Sequence, residues 1–310
     1  MRVYHSSFLN LDIDLEELSH LIAGVLGVAY RLTPLEVKCT YPVFRGEAQG
    51  QPPVFVKVGT ADEWSRTVAI LRDLGDEPLF ARLLTDTFIS YKRYAVWVVP
   101  WIDARTVPLD EMNDTQARSL VDGCVRLSRA LQRVTTFARL VGSPRDPERA
   151  WQVICDYSSR HPLAACPLRA LLALPEASRS FAGRRLAVVH GDFHAKNYAF
   201  TGDQLSAVFD FDKLTEDLPC GDFVQTLVYR FSELSLKREV RVRLARIARE
   251  MLSTAPWSGE DLALMANVWR LRFAAHRMAK HPNALWVGFD AARRDRHLVE
   301  LVNLIEEVKK

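Results

Sequence analysis

The sequence predicts an α+β fold in two parts: a small mixed α/β N-terminal part built on an antiparallel sheet, and a larger, mainly helical C-terminal part. Three observations carry this. Strand-like runs joined by a Gly/Pro-rich turn dominate the first hundred residues. Apolar residues at helical spacing take over from about residue 113. At 310 residues the chain is long enough for two lobes, with the change of character at Pro100-Trp101, so 1–100 and 101–310 are the expected parts.

The elements follow in order. Asp14 to Ala29 reads as an amphipathic helix with Glu16 and Glu17 in its first turn, where the helix dipole favours acids. Val37 to Phe44 and Val54 to Val58 read as two strands of a hairpin, joined by a turn over 46–53 that holds Gly46, Gly50, Pro52 and Pro53. Asp62 to Leu74 has helical spacing at Trp64, Val68 and Leu71 and stops at Gly75. Thr87 to Lys92 and Tyr94 to Val99 are further strands. Asn113 to Val134 is a helix with Leu120, Cys124, Leu127 and Leu131 on one face. A loop is expected at 142–147. From Asp222 onward the chain is mostly helical, broken near Pro256 and Pro282.

Composition excludes several classes. Hydrophobic residues are 48% and charged residues 25%, ordinary for a globular chain, and the net charge of +3 suits neither a nucleic-acid binder nor a membrane-surface protein. The apolar stretch Leu21 to Tyr30 is far short of the roughly 20 residues that a membrane span needs. The five cysteines (Cys39, Cys124, Cys155, Cys166, Cys220) include no C-x-x-C pair, which points to reduced thiols in a cytoplasmic protein.

The chemistry gathers at His190-Gly191-Asp192-Phe193-His194-Ala195-Lys196-Asn197 and at Phe209-Asp210-Phe211-Asp212. The apolar run Leu186 to Val189 delivers the chain into the first cluster. Tyr198 to Phe200 and Leu205 to Phe209 then read as a hairpin turning at Gly202, which folds Asn197 back beside Asp210. A carboxylate such as Asp192 accepts the proton of an attacking hydroxyl, while Asn197 and Asp210 offer the oxygen ligands that Mg²⁺ prefers. Asp212 joins the same metal only if the chain turns after Asp210, because alternate strand residues face opposite ways.

The pattern H-G-D-x-x-x-x-N, a hairpin, and then F-D-F-D resembles the aminoglycoside phosphotransferase and choline kinase family. The resemblance covers about residues 37–235 and implies a protein-kinase-like fold. It implies ATP (or GTP) and Mg²⁺ as cofactors and a small-molecule hydroxyl as acceptor (an aminoglycoside, sugar, amino alcohol or related metabolite). It casts Asp192 as catalytic base and Asn197 and Asp210 as metal ligands. Lys57, in Val54-Phe55-Val56-Lys57, becomes the lysine that pairs with phosphates. Pro100 and Ile102 become the hinge that meets adenine, and Asp222 becomes a cap that steadies the catalytic loop. His194 stands as a phosphate contact or a packing residue, His190 as architecture. The sequence departs from the family where a glutamate partner for the lysine is usual: that position holds Thr67, and Glu63, one turn earlier on the same face, is the candidate partner of Lys57 at the nucleotide site. Two alternatives stay open on the same fold: a nucleotide-binding regulatory protein with little catalysis, and a kinase acting on protein or lipopolysaccharide.

Overall fold

Local sequence explains most of the elements in the computed structural model, which describes residues 3–6, 11–35, 41–74, 77–80, 84–85, 88–134 and 146–310, without side-chain placement at 3–6, 11, 63, 66, 67 and 212. These residues fall into two compact units. The first holds those up to Ala104 with Arg133, Val134 and Ala207–Asp212; the second holds Arg105–Gln132, 146–206 and Lys213–Lys310.

In the first unit, β1 (Val3–Ser6) and β2 (Leu11–Asp14) form an antiparallel hairpin. Asp14 ends β2 and caps α1 (Leu15–Leu26), its Oδ1 accepting the Glu16 and Glu17 N–H groups. The predicted helix is therefore present, but it stops at Leu26, because Gly27 takes a left-handed φ of 71° and closes it. A five-stranded sheet follows, in the order β3-β4-β5-β7-β6 with every neighbour antiparallel. Its strands are β3 (Arg31–Pro34), β4 (Val43–Glu47), β5 (Val54–Thr60), β6 (Ile89–Tyr91) and β7 (Tyr94–Pro100). Helix α2 (Ala61–Leu74) joins β5 to β6.

The predicted hairpin is β4–β5, with a shifted first strand. Residues 37–40 lie outside the described residues, and β4 continues through Gly46, so the turn is shorter than 46–53. Gly46 is tolerated because it must be small: a Cβ there would lie 2.6 Å from Val54 Cγ2. The last strand runs one residue past Val99, to Pro100, and Gly75 and Thr87 lie outside the described residues. Val54, Val56 and Val58 alternate into a core with Leu15, Leu18 and Ile22 of α1, leaving Phe55, Lys57 and Gly59 on the opposite face.

The second unit starts with α3 (Asp114–Leu131). Asn113 and Gln116 form a reciprocal capping box at its N-terminus. Then come α4 (Pro147–Arg160), α5 (Pro162–Ala165), α6 (Arg169–Leu172), β8 (Ala187–Val189), β9 (Tyr198–Thr201), β10 (Gln204–Val208, its last two residues counted in the first unit) and β11 (Thr215–Asp217). The expected loop is shorter than 142–147, since Asp146 caps α4 and Pro147 opens it; 141–145 lie outside the described residues. Four helices complete the chain: α7 (Gly221–Phe231), α8 (Arg238–Thr254), α9 (Gly259–Lys280) and α10 (Trp286–Val308), with breaks at the two predicted prolines. Helices α4, α9 and α10 share a core around Tyr157, Leu271 and Val287.

Two buried ion pairs brace this unit. Arg270 of α9 grips Asp295 of α10 through two hydrogen bonds, of 2.7 and 3.0 Å. Arg272 grips Asp217 of β11. Strand β11 pairs with β8, so α9 anchors the strand that leads into His190. Cys124, Cys155, Cys166 and Cys220 are free thiols, and burial pushes the Cys124 and Cys220 thiols up. No helix among the described residues is long and apolar enough to cross a membrane.

Candidate active site

The loop from His190 to Asn197 is held by one face of α7. Asp222, Gln225, Thr226 and Tyr229 are spaced i, i+3, i+4 and i+7, so they share that face. Asp222 accepts the His190 N–H (2.8 Å, Oδ2) and the Gly191 N–H (2.9 Å, Oδ1). Gln225 accepts the Phe193 N–H (2.9 Å) and donates to the Gly191 carbonyl (3.1 Å). Thr226 donates to the Phe193 carbonyl (3.1 Å). Five hydrogen bonds thus meet backbone groups that would otherwise be buried and unsatisfied.

Asp222 was expected to cap its own helix. It lies one residue inside α7 and points to the loop instead, and Cys220, at the cap position, makes no side-chain cap bond. Its steadying role is real. Burial pushes its carboxyl above the usual range, against the pull of His190 and of the two N–H donors.

Gly191 is required twice over. Its φ is +75°, and a Cβ would lie 2.2 Å from the Lys213 carbonyl oxygen. His190 is fully buried, and its Nδ1 accepts the Asp192 N–H at 3.3 Å, which fits the architectural reading.

Asp192 leaves this framework with its side chain 27% exposed. Its Oδ1 accepts the Tyr229 hydroxyl at 3.3 Å and lies 3.5 Å from His194 Nε2. His194 Nδ1 accepts the Lys196 N–H (3.2 Å), which assigns the ring proton to Nε2, facing the carboxylate. The His194 ring packs against Tyr229 (5.0 Å between centroids), and Tyr229 against Trp269 (6.3 Å). The structure thus places His194 on Asp192. Asn197 is tied to the same loop: its Nδ2 donates to the Asp192 carbonyl at 2.8 Å. With the amide nitrogen so used, the amide oxygen is the group left to meet a ligand.

In the first unit, Lys57 Nζ reaches Asp210 Oδ1 at 3.5 Å across 153 positions of sequence. The hairpin β9–β10 forms, with Asn197 just before β9 and Asp210 two residues after β10, which ends at Val208 rather than Phe209. Asp210 has a left-handed φ of 64°, a conformation that Asp tolerates better than most residues and that functional sites often hold. Its carboxylate is 44% exposed. Residues Phe211–Lys213 make a 3₁₀ turn, so the chain does turn after Asp210; the Asp212 side chain lies outside the described ones, as do those of Glu63 and Thr67. Pro100 closes β7 opposite Val54, and the Trp101 N–H donates to the Pro53 carbonyl (2.9 Å). The Ile102 carbonyl accepts the Ala104 N–H at 2.9 Å.

Among the described residues, no group of three or more His, Cys, Asp or Glu is placed to hold a metal ion unaided. The donor set nonetheless suits Mg²⁺, which is usually held by one or two carboxylates with substrate phosphates. Asn197 and Asp210 present hard oxygens of that kind.

Sequence reasoning missed Gln225, Thr226 and Tyr229. The signal was available: with Asp222 they form a polar stripe along a helix whose other residues are mostly apolar.

The model of the phosphotransferase enzyme family (APH) matches residues 53–257. No curated protein matches the chain. Solved structures do resemble it. The amicoumacin kinase hAmiN in complex with AMP-PNP, Ca2+ and Ami superposes with a TM-score of 0.63 at 12% identity, over 96% of this chain and 95% of that one. A thermostable mutant of aminoglycoside phosphotransferase APH(4)-Ia, in ternary complex with ADP and hygromycin B, gives 0.58 at 13%, over 93% and 98%. The macrolide 2'-phosphotransferase MphH from Brachybacterium faecium gives 0.58 at 15%, over 91% and 97%. Identities this low establish the fold alone; the family match covers about two thirds of the sequence, and on it the chain belongs to the phosphotransferase enzyme family, with that family's kinase-like fold.

Proposed function

We propose that the protein transfers the γ-phosphoryl group of ATP (or GTP) to a hydroxyl of a small molecule, in the cytoplasm. The observation that carries this is the α7 clamp. It fixes the backbone on both sides of Asp192 while leaving that carboxylate accessible. Asp192 accepts the acceptor's hydroxyl proton at a carboxylate oxygen as the new P–O bond forms and the bond from the γ-phosphorus to the bridging oxygen breaks, so that the nucleoside diphosphate leaves with that oxygen. Tyr229 and His194 engage Oδ1 and turn Oδ2 to the acceptor. Lys57 supplies positive charge to the nucleotide phosphates, and Pro100 and Ile102 present backbone groups to the base. Mg²⁺ would be held by Asn197 and Asp210, with Asp212 following them in the turn, and when bound it neutralises charge on the phosphates.

The acceptor would meet Asp192 beside an aromatic side chain. Tyr229 is 41% exposed beside Asp192 and offers a flat apolar surface.

The test is a panel of hydroxyl acceptors (neutral sugars, amino alcohols, macrolides, aminoglycosides) incubated with Mg-ATP and read for phosphorylated product. Product from any of these acceptors supports the reading, and nucleotide binding with no product anywhere in the panel would overturn it. Tyr229→Phe removes one donor from Asp192, and kcat is expected to fall by roughly 3- to 10-fold with nucleotide KM unchanged, since the bond is partly solvated. Steady-state kinetics checks this; unchanged kcat would remove Tyr229 from the site.

A further inference from the structure

We infer that Trp64, with Tyr41, positions Lys57 by holding its ammonium group against two aromatic rings. Lys57 Nζ lies 4.7 Å from the Trp64 ring centroid and 5.4 Å from that of Tyr41. Both distances are within the range in which a ring's quadrupole attracts a cation. The rings support one another: Tyr41 and Trp64 are 6.4 Å apart, and Trp64 packs on Trp97 at 4.9 Å. Trp97 stands directly opposite Lys57 in the β5–β7 register.

The sheet is shaped to admit the indole. Two residues after Lys57, on the same face, is Gly59, and its partner across the register is Ala95. A Cβ on Gly59 would lie 2.5 Å from Trp64 Nε1 and 3.0 Å from Cε2. The two smallest side chains of this part of the sheet therefore form a slot, and a 1%-exposed tryptophan of α2 fills it beside the lysine. A helix that needed only an apolar anchor would not require glycine in the strand beneath it. The arrangement steers the ammonium toward Asp210, 3.5 Å away, and limits its rotamers. Trp64 touches no phosphate in this account; it is a positioning residue that acts through Lys57.

The inference rests on the reading of Lys57 as the phosphate-binding lysine, and the experiment separates the two. Mg-ATP affinity is measured by calorimetry for wild type, Lys57→Met, Trp64→Leu and the double variant. Lys57→Met should weaken binding. Trp64→Leu should weaken it by roughly 5-fold or more, and should add nothing in the Lys57→Met background. If Lys57→Met weakens binding and Trp64→Leu does not, or if Trp64→Leu costs the same factor in both backgrounds, Trp64 is structural only and the inference fails alone. If Lys57→Met binds as wild type, the reading of Lys57 fails and takes the inference with it. A second measurement does not depend on the tryptophan variant folding. In NMR spectra of the wild-type protein, the Lys57 Hε resonance, assigned by its loss in Lys57→Met, should be shifted upfield by ring current. An Hε signal at the position of an ordinary exposed lysine would overturn the proposal.

Discussion

Replacing Asp192 by asparagine is expected to lower phosphoryl transfer by about 10²- to 10⁴-fold, the usual contribution of a positioned general base. The substitution is nearly isosteric. Asparagine keeps an oxygen for the Tyr229 hydroxyl, which lies 3.3 Å from Oδ1. The bonds that shape the loop, in which the Asp192 N–H donates to the His190 ring and the Asp192 carbonyl accepts from the Asn197 amide, are untouched. Mg-ATP affinity should therefore stay within a few-fold of wild type while turnover is lost. Single-turnover assays alongside calorimetry would show both. A parallel loss of nucleotide binding would mean that the substitution damages the fold rather than the chemistry.

The largest stability effect is expected at Asp222. Asp222→Ala leaves the His190 and Gly191 N–H groups buried without their acceptor, at a cost of at least about 2 kcal/mol. Chemical denaturation would show it as a lower midpoint with an unchanged slope. Catalysis should fall as well, since the loop that carries Asp192 loses its tether. The pH dependence has a defined sign. Burial raises the folded-state pKa of Asp222 above its ordinary value of 3.8. The folded protein therefore binds this proton more tightly than the unfolded chain does. The associated stability is fully present below the unfolded pKa and is lost as pH rises through the folded one. Compared with Asp222→Asn, wild-type stability should decline as pH is raised from about 4. A difference between the two that does not change with pH would mean that Asp222 has an ordinary pKa.

Why some of this was readable from sequence and some was not has physical causes. Asn113 and Gln116 announce the start of α3 because a capping box is a local device. The helix breaks at Pro256 and Pro282 are local too. The His190–Asn197 cluster stood out because its residue types and spacing are chemical rather than conformational. Leu11-Asp12-Ile13-Asp14 shows what escaped: it alternates with period two, as a strand should, yet its acids resemble a helix start, and only pairing with β1 decides the matter. Helix α4 opens with a proline at its first position, which reads equally as part of a loop. The contacts of Asp222 and Trp64 were hidden for a different reason. Their partners lie at residues 190–191 and at residues 57 and 59, and a contact between separate elements leaves no mark in either segment alone. The polar stripe on α7 was visible, but its target was not.

The most direct test of the central claim is mass spectrometry of a hydroxyl-acceptor panel after incubation with Mg-ATP and either wild type or Asp192→Asn. The wild-type protein is expected to add one phosphate to an acceptor and the variant to form product at least about 10²-fold more slowly, with both proteins binding nucleotide. Nucleotide binding by the wild type with no phosphorylated acceptor anywhere in the panel would favour a regulatory protein, and product from Asp192→Asn at the wild-type rate would contradict the account outright.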